Sequence, residues 1–337
     1  MRATALLIWT ASITLVFSAK AQDVHFSQFA MSPLTLNPSQ IGNFDGDWRI
    51  SANYRSQWRV LGYPFESYSL GYDRNFIKKT STLSLGLLVL HDESGNSLLT
   101  SDRIQVGGAF HPISGRTTLH MGFLAGVNLK RFNIDGLTFP EQFNTTTGVF
   151  DSSLPNGENN LNLKSTKPDI SAGLGMTHRW RENVFNAGFA LYHLNRPNQS
   201  FFGGKEPTPV RSVFHTEIDF KLSKRIGFTP QYLAMFVAKA SEMVVGGKLA
   251  LLFSENKQHI TSIYAGGSLR SGINRNTDAL IGTVGLTFER MQIGLSFDSN
   301  VSSLQTVTNK KGAIEVALIF WSGTTLVKPK NLPCDRY

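Results

Sequence analysis

Apolar and polar residues take turns along most of this chain, one position each. In Trp48–Trp58, Trp48, Ile50, Ala52, Tyr54 and Trp58 occupy one phase, while Arg49, Ser51, Asn53 and Arg55 occupy the other. A period of two puts these sets on opposite faces of a β-strand. At ~3.3 Å per residue and a tilt of about 40°, the two tryptophans stand roughly 25 Å apart along a membrane normal, the height of a transmembrane barrel's apolar band. Trp48, Tyr54 and Trp58 are therefore expected to face lipid, and Arg49, Asn53 and Arg55 a lumen. A strand of a soluble sandwich alternates in the same way, so the rest of the chain has to decide.

The pattern recurs at residues 67–73, 83–89, 103–110, 119–129, 170–178, 184–192, 214–222, 226–237, 244–253, 262–269, 280–289, 291–297 and 312–321. In the clearest, Phe214, Thr216, Ile218, Phe220 and Leu222 alternate with His215, Glu217, Asp219 and Lys221. A charged inner face of that kind suits a wet lumen better than a packed core. The count is about fourteen strands, an even number, as single-chain bacterial barrels have.

Connections test this independently, because barrels alternate long outer loops with short periplasmic turns. The first, third, fifth and seventh connections, centred on Leu61, Ser94, Phe150 and Phe201, are the longer ones. Those at Lys78, Ser114, Arg181, Lys224, Ser254–His259 and Arg290 are short; only the ninth, near Ala240, is shorter than the rule expects. The expected fold is an all-β, antiparallel up-and-down transmembrane barrel with both termini periplasmic. Trp48, Trp58, Trp180 and Trp321 fall at strand ends, where a membrane girdle belongs. Pro230, inside a strand, implies a bulge or a misplaced boundary. Asn133–Pro168 reads as a long exposed loop.

The ends add export. Arg2, an apolar run from Ala3 to Phe17 and Ala19-Lys20-Ala21 form a signal peptide over residues 1–21, followed by no lipidation cysteine. Residues 22–47 then precede the barrel at 48–321, and 322–337 form a periplasmic tail. A mean hydropathy of −0.12 conceals the membrane face, because alternation averages it away. The net charge of +9 is scattered, without a nucleic-acid motif. The lone Cys334 excludes an internal disulfide and a cysteine-based zinc cluster.

Chemical motifs are few. Neighbours in His91-Asp92-Glu93-Ser94 cannot converge as a nucleophile, base and orienter do, so a polar turn is the better reading. Asn43–Asp47 has calcium-like spacing but lacks the distal glutamate of a hand loop. Glycine pairs such as Gly107-Gly108, Gly246-Gly247 and Gly266-Gly267 lie within strands, where they ease curvature or make room for side chains. No catalytic, metal or cofactor site is expected. Two rival functions share the barrel: a passive porin, and a lipid enzyme of the outer membrane.

Between the signal and the first strand, residues 22–42 carry Pro33 and Pro38 and no strand period. Phe26-Ser27-Gln28-Phe29, Pro33-Leu34, Leu36-Asn37-Pro38 and Gly42, followed by Asn53-Tyr54-Arg55 and Gln57-Trp58, resemble the PorP/SprF family of outer-membrane proteins. The end Pro333-Cys334-Asp335-Arg336-Tyr337 is also similar, with Asp335 departing from the usual tail. The resemblance implies a barrel of the type IX secretion and gliding machinery of Bacteroidetes that is not itself the translocation channel. It implies partners too: a periplasmic lipoprotein ring and an adhesin-like cargo with a secretion-type C-terminal domain. Residues 22–42 must either tuck into the lumen or lie along the periplasmic rim. Phe26, Ser27, Gln28, Phe29, Pro33, Asn37, Pro38 and Gly42 are thus expected to plug the barrel or touch a partner, with Arg49, Asn53 and Arg55 placed to hydrogen-bond them.

Overall fold

The alternation closes on itself. The computed structural model describes residues 23–77, 81–94, 99–133, 139–151, 153–155, 157, 163–201, 204–253, 260–273, 277–302 and 305–323. The strands are β1 (Trp48–Gln57), β2 (Phe65–Ile77), β3 (Ser81–Ser94), β4 (Leu99–Ser114), β5 (Thr117–Phe132), β6 (Phe143–Asn144), β7 (Val149–Phe150) and β8 (Lys164–Trp180). They continue as β9 (Asn183–Tyr192), β10 (Arg211–Lys221), β11 (Ile226–Val237), β12 (Ala240–Leu252), β13 (Ile260–Ser271), β14 (Thr277–Phe288), β15 (Met291–Asn300) and β16 (Lys311–Trp321). All but β6 and β7 form one closed antiparallel barrel of fourteen strands. Closure comes from β1 against β16, with Arg49 opposite Trp321 and Gln57 opposite Ala313. The signal peptide, Gln22, Cys334, the turn at Lys78 and Ser254–His259 lie outside the described residues.

The two phases of each strand meet different surroundings. Leu70, Val106 and Leu174 point outward and are more than half exposed, whereas Leu88 and Ala190 point inward and are buried. An apolar outside is what hydrocarbon demands, and closure leaves no edge with unpaired backbone groups. Among the described residues no helix is long and apolar enough to cross a membrane. At one end of the barrel the connections are short: Gly115-Arg116 joins β4 to β5 and Arg181-Glu182 joins β8 to β9. The opposite end carries the long loops, including residues 133–163 with the β6–β7 hairpin.

Three expectations change. Pro230 causes neither a bulge nor a boundary: it pairs with Gly247, and the register between β10 and β11 is the same on both sides of it. The ladder simply lapses at Ile218 and Asp219, and Thr229 Oγ1 donates to Asp219 Oδ1 (2.9 Å) across the gap. The long loop ends earlier than Pro168, which sits in β8 opposite Val127. Proline is tolerated there because the β8–β9 ladder begins only at Ala172, leaving that side of Pro168 unpaired.

The aromatic girdle is the third. Trp48 stands on the outer face, its ring 5.5 Å from Phe320, and Trp180 packs edge-on against Phe220. Tyr54 also faces outward and donates to Glu66 (2.7 Å). Trp58, however, follows the end of β1 in a left-handed conformation (φ 58°), so the period of two stops at Gln57. Its ring packs on Phe65 and borders the inner cavity at the loop end. Trp321 shares the inner phase of Arg49 and packs on the lumen cluster of Met31, Tyr264, Ala317 and Ile319.

Candidate functional site

What fills the lumen is the chain's own N-terminal segment. Prolines at 33 and 38 deny it a strand ladder, and it folds instead as short helical turns at Phe29–Met31, Pro33–Leu36 and Pro38–Gln40. Asn37 is extended between the last two, its side-chain oxygen accepting from Ser39 N–H (2.9 Å). Phe26, Phe29, Met31, Leu34, Leu36 and Ile41 are all buried. They meet wall residues such as Tyr192, Val213 and Leu233 on one side, and Leu88, Ala109 and Leu124 on another. The barrel therefore has a hydrophobic core inside an otherwise polar lining.

The wall is hollowed to receive this segment. A Cβ on Gly122 would lie 2.2 Å from Pro38 O, one on Gly173 1.9 Å from Asn37 Oδ1, and one on Gly86 3.0 Å from Ile41. Gly42 makes the sharp exit (φ 77°), its own would-be Cβ 2.0 Å from Ser84 Oγ. These glycines are the footprint of the plug.

Polar groups fix it at successive heights. Near the short-turn end, Asp73 accepts from Gly42 N–H (2.6 Å) and from Arg49 Nε and Nη2 (3.0 and 2.7 Å), while Arg49 Nη2 also donates to Gln40 O (2.8 Å). Halfway up, Asn37 donates to Leu174 O (3.1 Å) and meets His215 Nε2 (3.1 Å), and Tyr192 donates to Thr35 O (2.8 Å). Asn53 donates to Met31 O (3.3 Å).

Higher still is a dense charged knot. Glu315 accepts the consecutive N–H groups of Ser27 (2.8 Å) and Gln28 (2.9 Å). Arg55 donates to Ser27 Oγ (2.7 Å), Asp298 (2.9 Å) and Glu315 (3.3 Å), and Arg270 links Asp298 (2.8 Å) to Asp278 (2.9 Å). Arg55, Glu315 and Asp298 are buried, where an unpartnered charge would be costly and pairing offsets desolvation. All of the family-motif residues in the segment, and Arg49, Asn53 and Arg55 beside it, come together in this one packed unit.

The segment begins in the loop-side half. Asp23 lies 2.6 Å from His193 Nε2, 3.3 Å from Arg103 and 3.4 Å from Arg211, and His193 Nδ1 lies 2.8 Å from Asp169. Burial would raise the Asp23 pKa, but Arg211, His193 and Arg103 prevail and hold it well below the usual carboxylate range. Burial likewise opposes the His193 imidazolium, yet the Asp23 and Asp169 carboxylates carry its pKa above the ordinary value. Next along, burial depresses the pKa of His25, which sits 3.3 Å from Glu242. The barrel starts and finishes at the short-turn end, while Asp23 lies towards the other.

Above the segment is a cavity of about 1380 Å³, floored by Asp23, Val24 and His25 and bounded at the loop end by Trp58, Arg196 and Lys205. The string at His91 does not converge: His91 bonds Asp102 (2.5 Å) while Ser94 donates to Leu99 O. Among the described residues no three histidine, cysteine or acidic groups are placed to hold a metal ion.

Several anchoring residues had no signal in a single strand. Glu315 is directly opposite Arg55, and Asp73 directly opposite Arg49. The Arg49–Asp73 pair was within reach of a hairpin register. Arg55–Glu315 requires knowing that the last strand closes on the first, and Asp298, Arg270 and His193 require the lumen's cross-section.

No curated protein matches the sequence significantly. In three dimensions the chain is similar to other barrels: the Ralstonia pickettii toluene transporter TbuX (11% identity, 87% of this chain and 92% of that one, TM-score 0.45) and the Pseudomonas putida toluene transporter TodX (10%, 88% and 93%, 0.47). A third is the translocator domain of the autotransporter NalP from Neisseria meningitidis (11%, 86% and 94%, 0.35). At these identities the likeness is one of architecture alone. The family comparison reaches further, matching residues 18–320 to a single model, and by that match the chain belongs to the type IX secretion system membrane protein PorP/SprF family.

Proposed function

We propose that this protein is a non-enzymatic, partner-binding component of type IX secretion in the outer membrane of a Gram-negative bacterium, required to export or anchor an adhesin-like cargo. Its short-turn end, with the exit of β16 and the 322–337 tail, faces the periplasm and the lipoprotein ring there. Gliding follows where the cargo is a motility adhesin. The observation that carries this reading is the plugged lumen: a barrel stoppered by its own buried, charge-anchored segment is built to present surfaces rather than to conduct. A porin, the rival reading, requires an open path that residues 23–46 occupy. Signal cleavage after Ala21 and a Bacteroidetes source belong to the same proposal. The test deletes Gln22–Gly42 while keeping the signal and the barrel. The barrel should insert, and secretion or surface display of the cargo should be lost; normal display by an inserted deletion variant would refute the assignment.

A further inference from the structure

The floor of the loop-side cavity already holds a ligand, and it is a piece of peptide. Asp23 presents its carboxylate to Arg103, His193 and Arg211, and Arg211 Nη1 also donates to Val24 O (3.2 Å). One guanidinium thus reads both an aspartate and the backbone carbonyl beside it. The Nε atoms of Arg103 and Arg211 are buried without a hydrogen bond, 3.6 Å from Asp169 and 3.4 Å from Asp23, on side chains only 8% and 5% exposed. Three cationic groups converge there on two carboxylates, Asp23 and Asp169, with a third, Glu242, 3.3 Å from His25 on the same floor.

The way in carries charges of both signs. Asp92, Glu206, Glu242 and Asp278 line the same cavity as Lys130, Arg196 and Lys205, and among the described residues none of these three cations makes an ion pair. Lys130 donates to Gln199, and Arg196 is held in a left-handed conformation (φ 46°) just after the His193 corner. A recess whose floor already clasps an aspartate, and whose border offers cations without ion-pair partners, is matched by an anionic group entering from the loop end through charge-assisted hydrogen bonds.

We propose that this recess is a receptor for an acidic peptide segment of a partner chain, that Asp23 is its resident occupant, and that the incoming carboxylates engage Lys130 and Arg196 before competing with Asp23 for Arg103, His193 and Arg211. The inference rests on the partner-binding reading above but fails separately from it, since it is measured on purified protein and cargo display is measured in cells.

The test uses the full mature protein in lipid nanodiscs and a fluorescein-labelled peptide, Gly-Asp-Ser-Asp-Gly-Ser-Asp-Gly, with a second peptide carrying Asn for every Asp. Anisotropy should show saturable, salt-sensitive binding of the acidic peptide only. The Lys130→Gln, Arg196→Gln double variant, which leaves the segment's own contacts intact, should weaken it about tenfold, and Asp23→Asn should strengthen it about tenfold by vacating the floor. Equal binding of the two peptides, or no effect of the double variant, overturns the proposal. Stronger competition by heparin than by unlabelled peptide overturns it in favour of an anionic glycan.

Discussion

Arg55 and Glu315 stand directly opposite one another across the seam where the first strand meets the last, and both hold Ser27 of the lumen segment, one through its hydroxyl and one through its backbone N–H. Closure of the barrel and seating of the plug therefore share a single ion pair. Arg55 is also a partner of Asp298, so its removal leaves two buried carboxylates short of a cation. Arg55→Ala should destabilise the folded barrel by ~3–5 kcal/mol, as breaking a buried pair does. Arg55→Met with Glu315→Gln should cost less than the two single changes added together, since neither leaves the other's charge stranded. Thermal unfolding followed by loss of heat-modifiable migration on gels measures both.

The inward glycines separate a plug from a merely curved wall. Gly122→Ala or Gly173→Ala drives a methyl group into Pro38 or Asn37, whereas Gly282, on the outer face opposite Phe297, has nothing within 4 Å of its would-be Cβ. The first two should cost ~1–3 kcal/mol and make residues 23–47 sensitive to added protease, while Gly282→Ala should do neither. Equal protease resistance in all three would mean that the segment does not occupy the wall's hollows in solution.

That contrast marks what the sequence could reveal. Strand number, phase and turn alternation follow from a period of two, which is a local property and readable without the fold. The period failed at Trp58, which turns left-handed, whereas at Trp321 it holds and places the ring on the inner phase, away from the girdle. The site is harder because it is non-local: Ser27 meets Arg270, Asp298 and Glu315, all more than 240 positions away. Motif residues marked the segment and its neighbours Arg49, Asn53 and Arg55, but Asp298, Arg270 and His193 become partners only once the barrel is closed. Glycines within strands were noticed, yet their meaning depended on which of them face Asn37 and Pro38.

The Asp23 cluster makes seating of the segment's start depend on pH, and the sign follows from the two shifts. His193 has a raised pKa when folded, so its contribution is complete below about pH 6.5 and fades as pH climbs through the higher folded value. Asp23 has a lowered pKa, so its contribution is present above about pH 3.9 and is lost only as pH falls through its lower folded value. Seating should therefore be tightest between these limits and loosen at alkaline pH. A nitroxide on Val24→Cys, in a Cys334→Ser background, should report rising mobility from pH 6 to 9. His193→Gln should abolish that alkaline change and move the acid limb to higher pH, because Asp23 loses one of the groups that hold its pKa down.

The last expectation concerns what the plug holds shut. Eight-stranded barrels are filled by their own side chains, while those of sixteen or more leave an aqueous channel. A fourteen-stranded barrel lined by glycine, serine and alanine beside its charged groups lies near the second limit, and here residues 23–46 occupy the space. Purified wild-type protein in planar bilayers should show no steady single-channel conductance, and deletion of residues 23–42 should open one. Arg55→Ala should give flickering intermediate openings, because it removes one of the holds on Ser27, weakens the charged knot around it and leaves the lower anchors at Asp73 and Asn37 in place. Stable wild-type pores of the same size as the deletion's would favour the rival porin reading instead.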